Sequence, residues 1–134
     1  ARIRLIQDGD VAAAIETARP ETGIDLLMGI GGTPEGVITA AAMICLGGSI
    51  QGLLHPKDAD EKERAIAAGH DLKKVLSTRD LINSDDVFLS ATGITDGELL
   101  RGIRYTSYGS ISESLVMRGK SQTVRLIQTE HHLK

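Results

Sequence analysis

Two short polar turns contain the residue types in this chain that could do chemistry. The first is Asp8-Gly9-Asp10, directly after the apolar run 3–6, and the second is the glycine-rich stretch 29–36, directly after the apolar run 24–28. Carboxylates spaced by one glycine can accept hydrogen bonds from sugar hydroxyls or help to hold a divalent cation. Glycines let backbone amides approach an anion closely at the start of a helix. The two turns therefore indicate a site for a polar ligand.

The second turn places one carboxylate, Glu35, in the first turn of a predicted helix. Thr33 is expected to cap this helix, and Pro34 is typical of its first position. The Glu35 carboxylate interacts favourably with the positive helix end, but it repels a bound phosphate unless a cation lies between them. The alternative is that Glu35 only stabilises the helix. For Asp8 and Asp10 the corresponding alternatives are an Asx turn and a helix N-cap.

Composition excludes several classes of partner. The chain has 134 residues, of which 41% are hydrophobic and 25% charged, as expected for one globular domain. Aromatic residues make up 2%, the net charge is -3, and no basic run exceeds Lys73-Lys74, so neither nucleic acid nor a membrane surface is an expected partner. The single cysteine, Cys45, is predicted to be buried on a helix face. With no disulfide framework, signal peptide or membrane span in the sequence, a cytoplasmic location is predicted.

Hydrophobic periodicity predicts alternating strands and helices over the first two thirds of the chain. The strands are predicted at 3–6, 24–28, 50–54 and 87–91, and the helices at 11–18, 37–46 and 58–68, with a capping box at 77–80. Later runs at 103–106, 114–117 and 123–128 predict an antiparallel hairpin. The expected fold is α/β, a three-layer sandwich with a mixed, largely parallel sheet flanked by helices. Because the chain opens at Ala1 directly in a predicted strand, residues 1–134 are expected to be one domain of a longer protein.

In parallel α/β sheets, ligands bind beyond the carboxyl ends of the strands. This rule places five residues at one edge of the sheet, since each follows directly on a predicted strand. We call this set the rim: Asp8, Asp10, Gly31, Gly32 and Glu35. A phosphorylated polyol together with a metal ion fits all of these groups.

Other motifs are weaker. Gly119-Lys120-Ser121 lacks the earlier glycine of a phosphate-binding loop and is predicted to be a hairpin turn. Pro34 stands where a dinucleotide-binding loop has its third glycine. Asp85-Asp86 precedes a predicted strand and is interpreted as a turn, whereas Thr92–Gly97 follows one and could border the same pocket as the rim. The four histidines show no paired metal-ligand spacing.

Two further functions are open at this level. A strand running into Asp8-Gly9-Asp10-Val11 matches the opening of haloacid-dehalogenase-type phosphatases, in which Asp8 would be the nucleophile and Asp10 the general acid. That class also requires an acidic pair after a later strand, and the only acidic pair here precedes its strand. The other possibility is a non-catalytic α/β domain that binds a ligand or takes part in assembly.

A series of longer motifs covers almost the whole chain. These are residues 2–6 and 8–15, GIGGTPEGVI at 29–38, CLGG at 45–48, QG at 51–52, ATGITDG at 91–97 and SQTVR at 121–125. In this order they resemble the C-terminal half of class II fructose-1,6-bisphosphatases, which belong to the lithium-sensitive phosphatase superfamily.

The resemblance implies a cytoplasmic, homo-oligomeric enzyme that uses Mg²⁺ or Mn²⁺ to remove the 1-phosphate of fructose 1,6-bisphosphate. Sedoheptulose 1,7-bisphosphate is a further substrate of some related enzymes. By the resemblance, Asp8, Gly9, Asp10 and Gly32 bind the substrate, and Glu35 is a metal ligand. The other metal ligands, and the threonine that helps to activate water, belong to an N-terminal half without a counterpart here. No catalytic residue is therefore assigned to this chain, and the fragment alone is expected to be inactive.

Overall fold

Residues 1–133, which a computed structural model describes, form four α-helices, one short 3₁₀ helix and six strands. In chain order they are α1 (Asp10–Thr17), the 3₁₀ helix (Pro20–Thr22), α2 (Thr33–Leu46), β1 (Gln51–Gly52), α3 (Ala59–Ala67), β2 (Leu76–Ser77), α4 (Thr78–Leu81), β3 (Phe88–Thr92), β4 (Arg104–Thr106), β5 (Gly109–Arg118) and β6 (Thr123–His132). The α/β class is confirmed. None of the helices among these residues is long and apolar enough to cross a membrane.

Strand β5 is the centre of a four-stranded antiparallel sheet. It pairs with β6 over its whole length, and its other edge is shared by β3, opposite residues 114–118, and β4, opposite residues 109–111. A turn at 119–122 joins β5 to β6, and Gln122 has a φ of 49° there. The predicted C-terminal hairpin and its turn at Gly119-Lys120-Ser121 are therefore confirmed.

Helix α2 forms the centre of the core. Its residues 39–45 are all buried, and the helix contacts β3, β5 and β6. The helix ends at Gly47, whose φ of 74° is a conformation that glycine adopts at low cost. Cys45 is fully buried, as predicted, and burial raises the pKa of its thiol. The main cluster of buried side chains joins α1, α2 and β5 through Ile15, Ala42, Met43, Cys45 and Met117.

Two other helices begin with side-chain caps, and the cap of the second was predicted. Asp58 caps α3 by accepting a hydrogen bond of 2.8 Å from the Glu61 amide. Ser77 and Asp80 form the predicted capping box of α4. The hydrogen bond from the Ser77 amide, together with one from Lys74, lowers the pKa of Asp80 to about 2.

Two predicted strands are not paired in the structure. Residues 3–6 and 24–28 belong to no sheet among residues 1–133, and all strand pairs within this range are antiparallel. The prediction of a largely parallel sheet in three layers is therefore not confirmed in this part of the chain. The predicted strand 50–54 is reduced to β1, which pairs only with β2. The physical reason is that a parallel strand needs a neighbouring strand to bond with, and residues 1–133 supply none beside these segments.

Glu16 is a buried carboxyl group in α1, and its exposed fraction is 8%. Desolvation raises its pKa, and the nearby Glu98 carboxylate raises it further. The folded state therefore binds this proton more tightly than the unfolded state does. Its contribution to stability is largest below the unfolded pKa and is lost as the pH rises through the folded pKa.

We therefore expect Glu16→Gln to stabilise the chain at pH 7, by up to about 1 kcal/mol, because it removes a buried charge. The advantage should shrink at pH 4, where Glu16 is increasingly protonated. Urea unfolding at the two pH values measures this difference. Glu63→Gln, on the exposed face of α3, is the control and should change little. A Glu16→Gln protein that is less stable at pH 7 than the parent would contradict the prediction.

Candidate functional site

The first turn of the rim differs from the expected helix cap. Gly9 is the N-cap of α1, with a φ of 77° in the left-handed region, and Asp10 is the first helical residue. The interpretation of Asp10 as the N-cap is therefore wrong. Neither Asp8 nor Asp10 uses its carboxylate in a hydrogen bond or an ion pair with another of the residues 1–133. Both exposed carboxylates are thus free to bind a ligand.

The second turn begins α2. Gly32 is the N-cap in extended backbone, Thr33 and Pro34 are the first two helical residues, and Glu35 is the third. The expectation that Thr33 caps the helix is wrong, because no side chain makes a capping hydrogen bond there. Glu35 lies in the first turn, as predicted, and its carboxylate is also without a partner in residues 1–133.

Two glycines of the second turn, Gly31 and Gly32, bring the carboxylates close to the backbone. A Cβ atom added at Gly31 would lie 3.3 Å from Oδ2 of Asp10, and one added at Gly32 would overlap Oε2 of Glu35. The Asp10 and Glu35 carboxylates therefore lie against consecutive residues of one turn, while α1 packs on α2. The structure thus brings Asp10, Gly31, Gly32 and Glu35 together, as the sequence predicts.

The rim offers some of the oxygen ligands that a metal centre needs. Hard divalent cations such as Mg²⁺ take six oxygen ligands, including carboxylates and water. The exposed, unpartnered carboxylate of Glu35 suits one such position. Over the described part of the chain, however, no three or more His, Cys, Asp or Glu residues are grouped so that they could hold a metal ion. Further ligands would have to come from outside these residues.

Other predicted features have structural roles. Asp96 accepts a hydrogen bond of 2.9 Å from the Gly102 amide, so its carboxylate holds the 93–102 loop together. Asp85 and Asp86 form ion pairs with Arg79 and Lys120 respectively, which agrees with their interpretation as a turn. None of these contacts involves a rim residue.

One contact near the rim is not predictable from sequence patterns. Arg4, four residues before Asp8, forms an ion pair with Glu98 of the 93–102 loop. The pair connects the segment that leads into the first turn with a loop 94 positions away along the chain. No local pattern signals a contact at such a separation.

Comparison with known proteins relates this chain to one family. The family model described as bacterial fructose-1,6-bisphosphatase, glpX-encoded, matches residues 1–131. Fructose-1,6-bisphosphatase class 2 of Haemophilus influenzae is 40% identical over 146 residues, which cover 99% of this chain and 44% of that protein. Fructose-1,6-bisphosphatase 1 class 2 of Escherichia coli K12 is 43% identical over 145 residues, covering 98% of this chain and 43% of the relative.

The chain thus spans less than half the length of the curated relatives that it matches. The match nevertheless includes both turns of the rim and nearly every described residue. This chain belongs to the family of bacterial, glpX-encoded fructose-1,6-bisphosphatases.

Proposed function

We propose that this chain supplies part of the sugar- and metal-binding site of an enzyme that hydrolyses the 1-phosphate of fructose 1,6-bisphosphate. The observation that carries the proposal is the rim, where unpartnered carboxylates meet two glycines at the start of α2. The names of the relatives support the reaction and the substrate. A cytoplasmic location, a homo-oligomeric state and activity on sedoheptulose 1,7-bisphosphate stay predictions.

Each rim residue has a defined role in this proposal. Asp8 and Asp10 accept hydrogen bonds from sugar hydroxyls, because ionised carboxylates are strong acceptors. Gly9 and Gly32, which lack side chains, let the substrate approach the backbone. Glu35 supplies one oxygen ligand for Mg²⁺ or Mn²⁺, the expected metals.

The bound metal would lower the pKa of a water molecule and neutralise charge on the phosphate. This chain contributes the position of the sugar and one metal ligand. The α2 amino terminus adds a positive dipole end beside Glu35, so the carboxylate is held where both a cation and a phosphate can be accommodated. Glu35 acts here as a ligand and not as a general base.

A chimera in which this chain replaces the matched region of the E. coli relative tests the proposal. The chimera should release phosphate from fructose 1,6-bisphosphate with Mg²⁺ or Mn²⁺ and lose activity with a chelator. The 134-residue chain alone should release none, because one matched ligand is too few to activate water. A folded but inactive chimera, or metal-dependent activity of the chain alone, would contradict the proposal. A fluoride adduct on Asp8 in the presence of substrate and aluminium fluoride would instead support the aspartyl-phosphate route.

Gly32 should be needed to position the Glu35 carboxylate. In the chimera, Gly32→Ala places a Cβ atom where Oε2 of Glu35 lies, so the carboxylate must move. We expect the metal concentration for half-maximal activity to rise about 10-fold, as when the support of a metal ligand is removed. A metal titration of the activity measures this effect.

Gly36→Ala is the matched control, because an added Cβ atom at Gly36 would meet no atom within 4 Å. This change in the first part of α2 should leave the metal dependence unchanged and stabilise the protein by about 0.5–1 kcal/mol. Equal effects of the two substitutions on the metal dependence would show that Gly32 has no special role.

A further inference from the structure

A cavity beside the turn that joins β5 to β6 has no part in the proposed function. Its volume is about 380 Å³, which is in the range of small-molecule sites. Two of its side chains are cations, and two others carry a hydroxyl and an amide that can donate hydrogen bonds. We call it the turn cavity, and its lining residues are Ile44, Arg79, Asp85, Gly119, Lys120, Ser121 and Gln122.

The walls of the turn cavity are fixed by backbone contacts. The Gly119 amide donates a hydrogen bond of 2.8 Å to the Val87 carbonyl, and the Gln122 amide donates one of 3.2 Å to the Gly119 carbonyl. A Cβ atom added at Gly119 would lie 2.5 Å from the Asp85 carbonyl oxygen and 3.2 Å from Cγ2 of Ile44. The turn therefore stays in place even when the charged side chains around the cavity move.

The two cations of the turn cavity are held by exposed ion pairs. Arg79 pairs with Asp85, and Nζ of Lys120 lies 3.3 Å from Oδ2 of Asp86. All four side chains are more than half exposed. Because exposed pairs of this kind contribute little to stability, another anion can replace the carboxylates at low cost.

The turn offers further hydrogen-bond donors. Among residues 1–133, the backbone amides of Lys120 and Ser121 have no acceptor. The Ser121 hydroxyl contacts only the Thr123 hydroxyl, at 2.8 Å, and either oxygen can be the donor in that contact. Cations, amides and a hydroxyl together are the donors that proteins use to bind phosphate.

A phosphate group satisfies these donors better than the carboxylates do. It carries about two negative charges and three strong acceptor oxygens. It can therefore bind Arg79 and Lys120 at once, whereas Asp85 and Asp86 each pair with one cation. Among the lining residues only Asp85 carries a negative charge, and its exposed side chain is able to turn away. We propose that the turn cavity binds inorganic phosphate or a small phosphate monoester.

The turn cavity is separate from the rim. Gly32 and Glu35 lie at the amino end of α2, whereas Ile44 of the cavity lies near its carboxyl end. Because α2 has 14 residues, its two ends are about 20 Å apart. A six-carbon sugar bound at the rim is shorter than this distance. A phosphate compound in the turn cavity is thus a second ligand, and its binding does not depend on the proposed function.

Phosphate titration of the 134-residue chain, followed by the NMR shifts of its amides, tests the proposal. Sodium chloride keeps the ionic strength constant. We expect saturable shifts at residues 119–122 and 85–87. A second titration with methyl phosphate distinguishes the two sources of the phosphate group. Equal affinity identifies monoesters as ligands, whereas much weaker binding restricts the cavity to inorganic phosphate.

Two matched double variants test the cations. Arg79→Gln with Lys120→Gln should weaken phosphate binding at least about 10-fold, because hydrogen bonds from charged donors are lost. Lys62→Gln with Arg64→Gln removes the same charge from the exposed helix α3 and should leave the affinity unchanged. Calorimetric titration of the chain and of the chimera measures both effects.

Asp85→Asn should change the affinity in the opposite direction. The substitution removes the carboxylate that competes for Arg79, so phosphate should bind about 2- to 5-fold more tightly. If Arg79 and Lys120 only stabilised the turn, Asp85→Asn would not affect phosphate binding.

Any of three results would overturn the inference. They are the absence of saturable shifts at the turn of the folded chain, equal effects of the two double variants, and an Asp85→Asn protein that binds phosphate no more tightly than the parent. Shifts confined to residues 31–36 count as the first of these, because they would place the phosphate at the rim. A chimera that binds phosphate at the turn but hydrolyses nothing would leave this inference intact and contradict only the proposed function.

Discussion

Replacing Glu35 by glutamine is expected to raise the Mg²⁺ or Mn²⁺ concentration for half-maximal activity of the chimera by at least about 10-fold and to lower kcat. Glutamine keeps the size of the side chain but loses the charge that holds a divalent cation. The fold should change little, because loss of a carboxylate from the first turn of an exposed helix costs only about 0.3–1 kcal/mol. Metal titration of the activity and calorimetric titration with Mn²⁺ measure the effect independently.

Glu61→Gln is a close control for this experiment. Glu61 is the third residue of α3, as Glu35 is of α2, and both are exposed. The control removes an acid from the same helical position and should leave the metal dependence unchanged. If Glu35 only stabilised its helix, Glu35→Gln would behave like the control, or would tighten substrate binding by removing repulsion from the phosphate. Either outcome would end the assignment of Glu35 as a metal ligand.

Asp10→Ala is expected to raise the KM of the chimera for fructose 1,6-bisphosphate by about 10-fold or more. A hydrogen bond to a charged group contributes about 1.5–3 kcal/mol, and about 1.4 kcal/mol corresponds to a factor of ten. Stability should hardly change, because Gly9 and not Asp10 is the cap of α1, and the Asp10 carboxylate makes no hydrogen bond within residues 1–133. Steady-state kinetics and thermal unfolding of the same preparations separate the two effects.

Asp60→Ala in the first turn of α3 serves as the reference for loss of an exposed acid near a helix start. It should leave KM unchanged. An Asp10→Ala chimera with the parental KM but a melting temperature several degrees lower would show a structural role for Asp10 and no role in binding the sugar.

The features that the sequence predicted well depend on residues close together along the chain. The capping box of Ser77 and Asp80 and the 119–122 turn each involve contacts over three positions. The glycines and Glu35 at the start of α2 are of the same kind. Family membership was also predicted from ordered motifs, and the comparisons confirm it.

Apart from the meeting of the two turns at the rim, contacts between distant residues were not predicted. The burial of Glu16 has no local signal in the sequence, and its pKa is influenced by Glu98, which is far away along the chain. The ion pair of Arg4 with Glu98 is a further example. The cap of α1 was assigned to Asp10 because acids are common caps, whereas the backbone there places Gly9 at that position.

By itself, the sequence determined the family, most helices, the hairpin and the pair of turns that carry Asp8, Asp10 and Glu35. Only the tertiary structure decided how the strands pair. Apolar residues at every second position predict a strand. A strand enters a sheet, however, only when another segment offers free backbone groups beside it. β5 finds such partners in β3, β4 and β6, whereas residues 3–6 and 24–28 find none within residues 1–133. Those two segments carry the same apolar spacing as a paired strand, so the difference lies in the available neighbours and not in the residues themselves.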